Sequence, residues 1–113
     1  MYGKNNPSPK KRLVMLGLKN GKNFTELARE LSITTATAEV YGIDCLAAGG
    51  DIDHEIVAGY LKITKTSFHT IKGEILSTQD NKLRTVRDNL GEVYTYNQLR
   101  FVLACLIHEL DMC

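Results

Sequence analysis

No stretch of this chain alternates apolar and polar residues for long enough to make a half-buried strand. Its apolar content, 43% of 113 residues, must therefore be buried by helices. The apolar residues recur at spacings of three and four, in short runs opened by residues whose side chains cap helices. Ser8-Pro9 fits an N-cap followed by proline in the first turn, and Leu13, Val14, Met15 and Leu16 supply the apolar side of a helix that Gly21 ends. Asn23 and Glu26 have capping-box spacing ahead of Leu27, Ala28 and Leu31, which predicts a second short helix to about Ser32. Thr34 or Thr35 caps a third helix, and the pair Gly49-Gly50 stops it. Asp53 caps a fourth, with Ile56, Val57 and Leu61 inward. The stretch 65–76 places Phe68, Ile71 and Ile75 on one helical face, and 80–90 does the same with Leu83, Val86 and Leu90. Thr95 and Gln98 repeat the capping-box spacing before the longest apolar stripe, Leu99, Val102, Leu103, Leu106, Ile107 and Leu110, which is expected to anchor the core. No internal repeat or low-complexity segment is visible. The expected fold is mostly α, a compact helical bundle, with residues 1–7 a flexible lead and 8–113 a single domain.

Composition excludes several classes. Charged residues make up 24% of the chain, with only two prolines and nine glycines, so it is neither disordered by composition nor fibrous. No run approaches the roughly 18 apolar residues of a membrane span, and the basic N-terminus lacks a signal-type apolar stretch. Three cysteines, Cys45, Cys105 and Cys113, are odd in number and far apart, which fits a reducing compartment rather than a disulfide framework. The expected location is intracellular, the nucleus in a eukaryote and otherwise the cytoplasm or nucleoid. Pro9-Lys10-Lys11-Arg12 matches a short nuclear-localisation pattern.

The net charge of +1 conceals a segregation. Residues 1–29 carry seven cations, Lys10, Lys11, Arg12, Lys19 and Lys22 among them, against Glu26 alone. Residues 30–61 carry six acids and no Lys or Arg; residues 62–87 return to six cations, including Lys62 and Lys65, against two acids. Two basic zones thus flank an acidic one. One reading is a phosphate-contacting surface built from both basic zones; the other is solvated faces that neutralise each other.

The segment FTELARELSITTATAEV has the layout of a helix-turn-helix. Ala28 is small where two helices must approach, Ile33 buries the turn, and Thr34, Thr35 and Thr37 open the next helix with hydroxyls able to contact phosphates or base edges. That helix carries Ala38 and Gly42 where larger aliphatics usually lie, so its buried face is expected to rotate toward Val40, Ile43 and Leu46. It has no Lys or Arg and bears Glu39 and Asp44, which repel phosphates.

The segment LARELSITTATAEVYGIDCLAAGGDID, followed by LRTVRDNLGEVYTYNQLRFVLACL, resembles the helix-turn-helix domain at the C-terminal end of RecQ-type DNA helicases, the Werner type included. The resemblance covers about residues 12–110. It rests on Ala48-Gly49 with Ile52-Asp53, on the helix Leu83 to Asp88, and on the helix Tyr96 to Ala104. It implies a non-catalytic, winged-helix-like accessory module, its wing minimal or absent, that assists a DNA repair or replication helicase and has no ATPase of its own. If DNA binds, Lys10, Lys11, Arg12, Lys19, Lys22, Lys62 and Lys65 are expected to do most of it through phosphates, with little sequence specificity and with Thr34, Thr35, Thr37 and Tyr41 nearby. The partners expected are DNA and a helicase or other repair or replication protein, with no membrane. The alternative is a protein-interaction domain that docks a basic partner on its acidic third helix.

Other candidates are weaker. Cys105, His108 and Cys113 form a C-x2-H-x4-C run, one ligand short of a structural zinc site, so no metal and no cofactor are expected. His54 and His69 are isolated and read as surface residues. Tyr41, Tyr94 and Tyr96 read as packing rather than base-stacking rings. Asn23-Phe24-Thr25 is a formal glycosylation sequon that an intracellular protein would not use. No nucleophile, base and oxyanion set, and no phosphate-cradling glycine loop, can be assembled, so an enzyme is not expected.

Overall fold

A computed structural model describes residues 9–80 and 82–112; the expected lead, the Ser8 cap and Cys113 lie outside these. Among the described residues there are seven helices and no strand: α1 Pro9–Lys19, α2 Phe24–Leu31, α3 Thr35–Ala47, α4 His54–Tyr60, α5 Lys65–Ser77, α6 Leu83–Asn89 and α7 Tyr96–Ile107. The bundle is mostly α, as the spacings predicted, and no β wing is present in this part.

The caps explain where the helices start. The Asn23 side chain accepts from Glu26 N at 2.9 Å while the Glu26 carboxylate accepts from Asn23 N at 2.9 Å, and Thr95 and Gln98 make the same reciprocal pair at 3.1 and 2.9 Å. Thr34, not Thr35, caps α3, and Asp53 caps α4 by accepting from Glu55 N. Helix α6 starts at Leu83 rather than Asp80. The Asp80 carboxylate instead accepts from the Thr85 hydroxyl and from Lys82 N, and these bonds, the Thr85 one foremost, hold it below the ordinary carboxylate range.

The ends share one device. After α1, α2, α3, α4, α6 and α7, a residue of positive φ (Gly21, Ser32, Gly49, Lys62, Gly91 and Glu109) turns the chain so that the next N–H reaches the carbonyl five residues back. Two of these bonds are Ile33 N to Ala28 O at 3.0 Å and Ile63 N to Ala58 O at 2.9 Å.

Helices α3 and α7 are central and pack on each other; α1 and α2 cover α3, and α5 and α6 cover α7. The core includes Phe68, Ile71, Leu99, Phe101, Val102 and Cys105, each fully buried, and each large aliphatic or aromatic side chain there contributes about 1.5–3 kcal/mol of transfer free energy. Three expected faces differ. On α1 the inward side is Val14, Gly17 and Leu18, while Leu13 and Leu16 are about half exposed. On α4 Ile56 points outward, and on α7 Phe101, Ala104 and Cys105 replace Leu103 and Ile107 at the centre of the buried stripe.

On α3 the small residues are on the buried face after all. Ala38, Gly42, Ile43, Cys45 and Leu46 are buried and Val40 only partly so. A Cβ at Gly42 would stand 2.7 Å from Phe24 Cε1, and one at Gly17 would overlap Leu27 Cδ2. Small residues admit close helix contact where larger aliphatics would have pushed α1 and α2 away.

The histidines are not isolated. Nε2 of His54 lies 2.8 Å from Asp111 O, that of His69 3.0 Å from Met112 O, and that of His108 2.6 Å from Ala47 O. Facing carbonyls, each ring nitrogen donates, and together they hold the segment after α7 against α3, α4 and α5.

Candidate nucleic-acid interface

The predicted helix-turn-helix is α2, the turn Ser32–Thr34, and α3. It recurs 30 residues later, which corrects the expectation of no internal repeat. Leu27, Ala28, Leu31, Ile33, Thr34, Thr37 and Ala38 are matched by Val57, Ala58, Leu61, Ile63, Thr64, Ser67 and Phe68 in α4, turn and α5. The match extends to geometry. Ser32 and Lys62 have φ of 56° and 61°; Thr34 Oγ1 accepts from Thr37 N, and Thr64 Oγ1 from Ser67 N, both at 3.0 Å. The inward residues Leu27, Ala28 and Ala38, and Val57, Ala58 and Phe68, are all buried. Helices α6 and α7 form a third, looser unit with a longer turn, Gly91 and Glu92 both at positive φ, and Thr95 as its cap.

In a DNA-binding helix-turn-helix the N-terminal residues of the second helix meet the base edges, and the helix presents a solvent face to the groove. Helix α3 suits this poorly beyond its first turn. It is covered by α1, α2 and α7, and its acids are engaged within the fold: Glu39 accepts from Asn97 Nδ2 at 2.8 Å, and Asp44 pairs with Lys11 at 2.9 Å. The acids that the adaptor reading places on α3 thus each have a partner within the fold, while the Asp44 side chain stays 45% exposed. Thr34, Thr35 and Ala36 are exposed at its start, while Thr37 turns partly inward and accepts the Thr34 hydroxyl at 2.8 Å.

Helix α5 is placed better. Lys65, Thr66, His69, Thr70 and Gly73 are exposed along one side of it, and a Cβ at Gly73 would meet nothing within 4 Å. Where the first unit has Ser32 and Thr35, this one has Lys62 and Lys65, both exposed and neither ion-paired to a described residue. Lys72 is committed elsewhere, 3.5 Å from Asp111, whose carboxyl is held low mainly by the Met112 N–H and then by Lys72 and His69.

The N-terminal basic zone behaves differently from the phosphate-contact expectation. Lys11, Lys19 and Lys22 reach acids of the adjacent zone, Asp44 at 2.9 Å, Asp51 at 3.6 Å and Glu30 at 2.8 Å. The Lys11 ammonium also lies 5.8 Å from the centre of the partly buried Tyr41 ring. Opposite charge adjacent in sequence is here opposite charge adjacent in space, so these three lysines face the phosphate-repelling acids as well as solvent. Lys10 and Arg12 are exposed without an ion pair to a described residue. The two basic zones also pack on different central helices, α1 on α3 and α5 on α7.

The structure adds a group that the charge pattern does not single out. At the openings of α3 and α7 a cleft of about 380 Å³ is lined by Ala36, Thr37 and Val40 on one side and Thr95, Tyr96, Asn97 and Arg100 on the other. Asn97, nearly buried, donates to Glu39 and to Ala36 O and accepts from Arg100 Nη1 at 2.8 Å. The guanidinium of Arg87 lies 4.8 Å, and that of Arg100 5.8 Å, from the centre of the Tyr96 ring, with Arg87 Nε donating to Tyr94 O. The spacing of Tyr96 and Arg100, four apart on a helix, marks a shared face, but nothing in the sequence brings Arg87 or α3 to it.

Among the described residues no group of His, Cys, Asp and Glu could hold a metal ion, and no helix is long and apolar enough to cross a membrane. Cys105 is a buried thiol whose pKa desolvation, with the Asp111 charge adding, pushes up to about 12, and burial also raises that of Cys45. No curated protein and no solved structure matches the chain. A model of a helix-turn-helix domain family does match, over residues 11–103, from the first turn of α1 into the last turns of α7, and the chain belongs to that helix-turn-helix domain family.

Proposed function

We propose that this chain is a non-catalytic DNA-binding accessory module of the kind carried at the C-terminal end of RecQ-type helicases, acting inside the cell in DNA repair or replication. It grips DNA mainly through phosphates and reads little sequence. The observation that carries the DNA contact is the second helix-turn-helix unit, in which Lys62 and Lys65 stand exposed at the turn and the first residue of a helix, with no ion pair to a described residue. Thr66 and Thr70 follow on the same face as neutral donors for phosphate or base edges. Lys10 and Arg12 supply a second, separate contact. The helicase association rests on the resemblance at Ala48-Gly49, Ile52-Asp53, Leu83 to Asp88 and Tyr96 to Ala104.

Fluorescence anisotropy with forked, duplex and single-stranded DNA across a salt series tests this. Affinity should fall with rising salt, and Lys62→Ala/Lys65→Ala should reduce the slope of log K against log salt by about two, one for each phosphate no longer neutralised. Absence of binding to every form at low salt would reject the DNA reading. The search would then turn to a protein partner for the exposed Leu13 and Leu16 of α1.

A further inference from the structure

The cleft between the openings of α3 and α7 shares no lining residue with the Lys62 and Lys65 surface, although Gln98 of α7 donates to Leu61 O beside Lys62 at 2.9 Å, and its chemistry is of a different kind. Its lining has an apolar part, Ala36, Val40 and the Tyr96 ring, beside the polar Thr37, Thr95 and Asn97. It also has a cationic part: Arg100 lines it, and Arg87 reaches the same ring from α6. Its volume of about 380 Å³ is at the small end of the 300–1,000 Å³ usual for small-molecule sites. A duplex backbone has no use for the apolar part, since phosphates on an apolar surface lose hydration without gaining a partner. An unpaired nucleotide uses both parts, the base against the apolar side chains and ring, the phosphate against the guanidinium groups.

Arg100 is held ready for this role. Asn97 accepts from its Nη1 at 2.8 Å and is itself fixed by donating to Glu39 and Ala36 O, so the side chain is oriented by α3 although it belongs to α7. Among the described residues this is the one hydrogen bond of the fork, which leaves its other N–H groups to face an anion, and its position near an aromatic ring limits the conformations that binding must select. The Glu39 carboxylate accepts from Asn97, and no described acid forms an ion pair with Arg100.

From these features we infer that the α3–α7 cleft is a binding site for an unpaired nucleotide, which gives the module a preference for single strands and forks over blunt duplex. The inference rests on the DNA-binding reading above and adds a second site to it. The test measures anisotropy of a short fluorescein-labelled single strand and of its blunt duplex with the wild-type chain, Tyr96→Leu and Arg100→Ala, each variant first checked by circular dichroism and thermal unfolding. Both variants should weaken single-strand binding at least about fivefold, in line with loss of one stacked base, and leave duplex binding within about twofold. Arg100 is exposed, so its variant keeps the experiment decisive even if Tyr96→Leu does not fold. Equal losses on both DNA forms, or no loss on the single strand, would overturn the cleft assignment while leaving DNA binding intact. Failure of the wild type to bind either form would overturn both.

Discussion

A Cβ at Gly42 would stand 2.7 Å from the Phe24 ring and 3.3 Å from Leu18 Cδ1, so this one position sets how closely α1 and α2 lie on α3. Gly42→Ala should therefore destabilise by about 1–3 kcal/mol, the usual cost of overpacking, despite alanine's better helix propensity. Gly73→Ala provides the control: its Cβ meets open space, and the same change should stabilise by about 0.5–1 kcal/mol. Urea denaturation of the two variants checks both signs. Cys105 gives a second residue-level outcome. Its folded thiol pKa, about 12, lies above the ordinary 9.0, so its contribution is fully present below pH 9 and is lost as pH rises toward 12. The urea midpoint should fall with pH over that window, more steeply in the wild type than in Cys105→Ala. Residue identity makes Ala28 legible as a close-approach site, but for Gly42 and Ala38 it points the wrong way. Smallness reads as a poor core residue until the neighbour that needs the space is known, and at Gly42 that neighbour, Phe24, lies on another helix.

At the scale of elements, the two units built on Thr34 and Thr64 are the same device used twice. Each hydroxyl caps its helix at 3.0 Å, so Thr34→Ala and Thr64→Ala should each cost about 1 kcal/mol, checked by thermal unfolding. Loss at one position only would mean that the turns are not equivalent. Capping is the most legible part of the chain: Asn23, Thr34, Asp53 and Thr95 all act as cap residues because their bonds are local in sequence. Buried faces are less so. On α1 and α4 the run of consecutive apolar residues fits more than one rotation, and packing against α3 or α7 selects Val14 over Leu13 and Val57 over Ile56. The repeat is faint in the sequence because, of the seven matched pairs, only Ala28, Leu31, Ile33 and Thr34 are identical to their counterparts. Of the other three pairs, Leu27 with Val57 and Ala38 with Phe68 are alike in burial rather than in identity, and Thr37 with Ser67 are alike in carrying a hydroxyl.

For the whole molecule, charge segregation along the chain becomes partial neutralisation in space. Lys11, Lys19 and Lys22 meet acids of the next zone, while Lys62 and Lys65 of the second basic zone pair with no described acid. Linear counting finds the zones, but only the fold decides which cations face their own acids. The same holds for the Arg87, Tyr96 and Arg100 group, assembled from two helices and completed by a third. On the function proposed above, the second helix-turn-helix unit, and not α3, meets DNA. A titration of the ¹⁵N-labelled chain with duplex DNA, followed by amide chemical-shift changes, tests this most directly. The changes should concentrate at Lys62 to Thr70 and leave Ala38 to Leu46 nearly still. A footprint running along Ala38 to Leu46 with Lys62 to Thr70 unmoved, or no shifts at low salt, would contradict it.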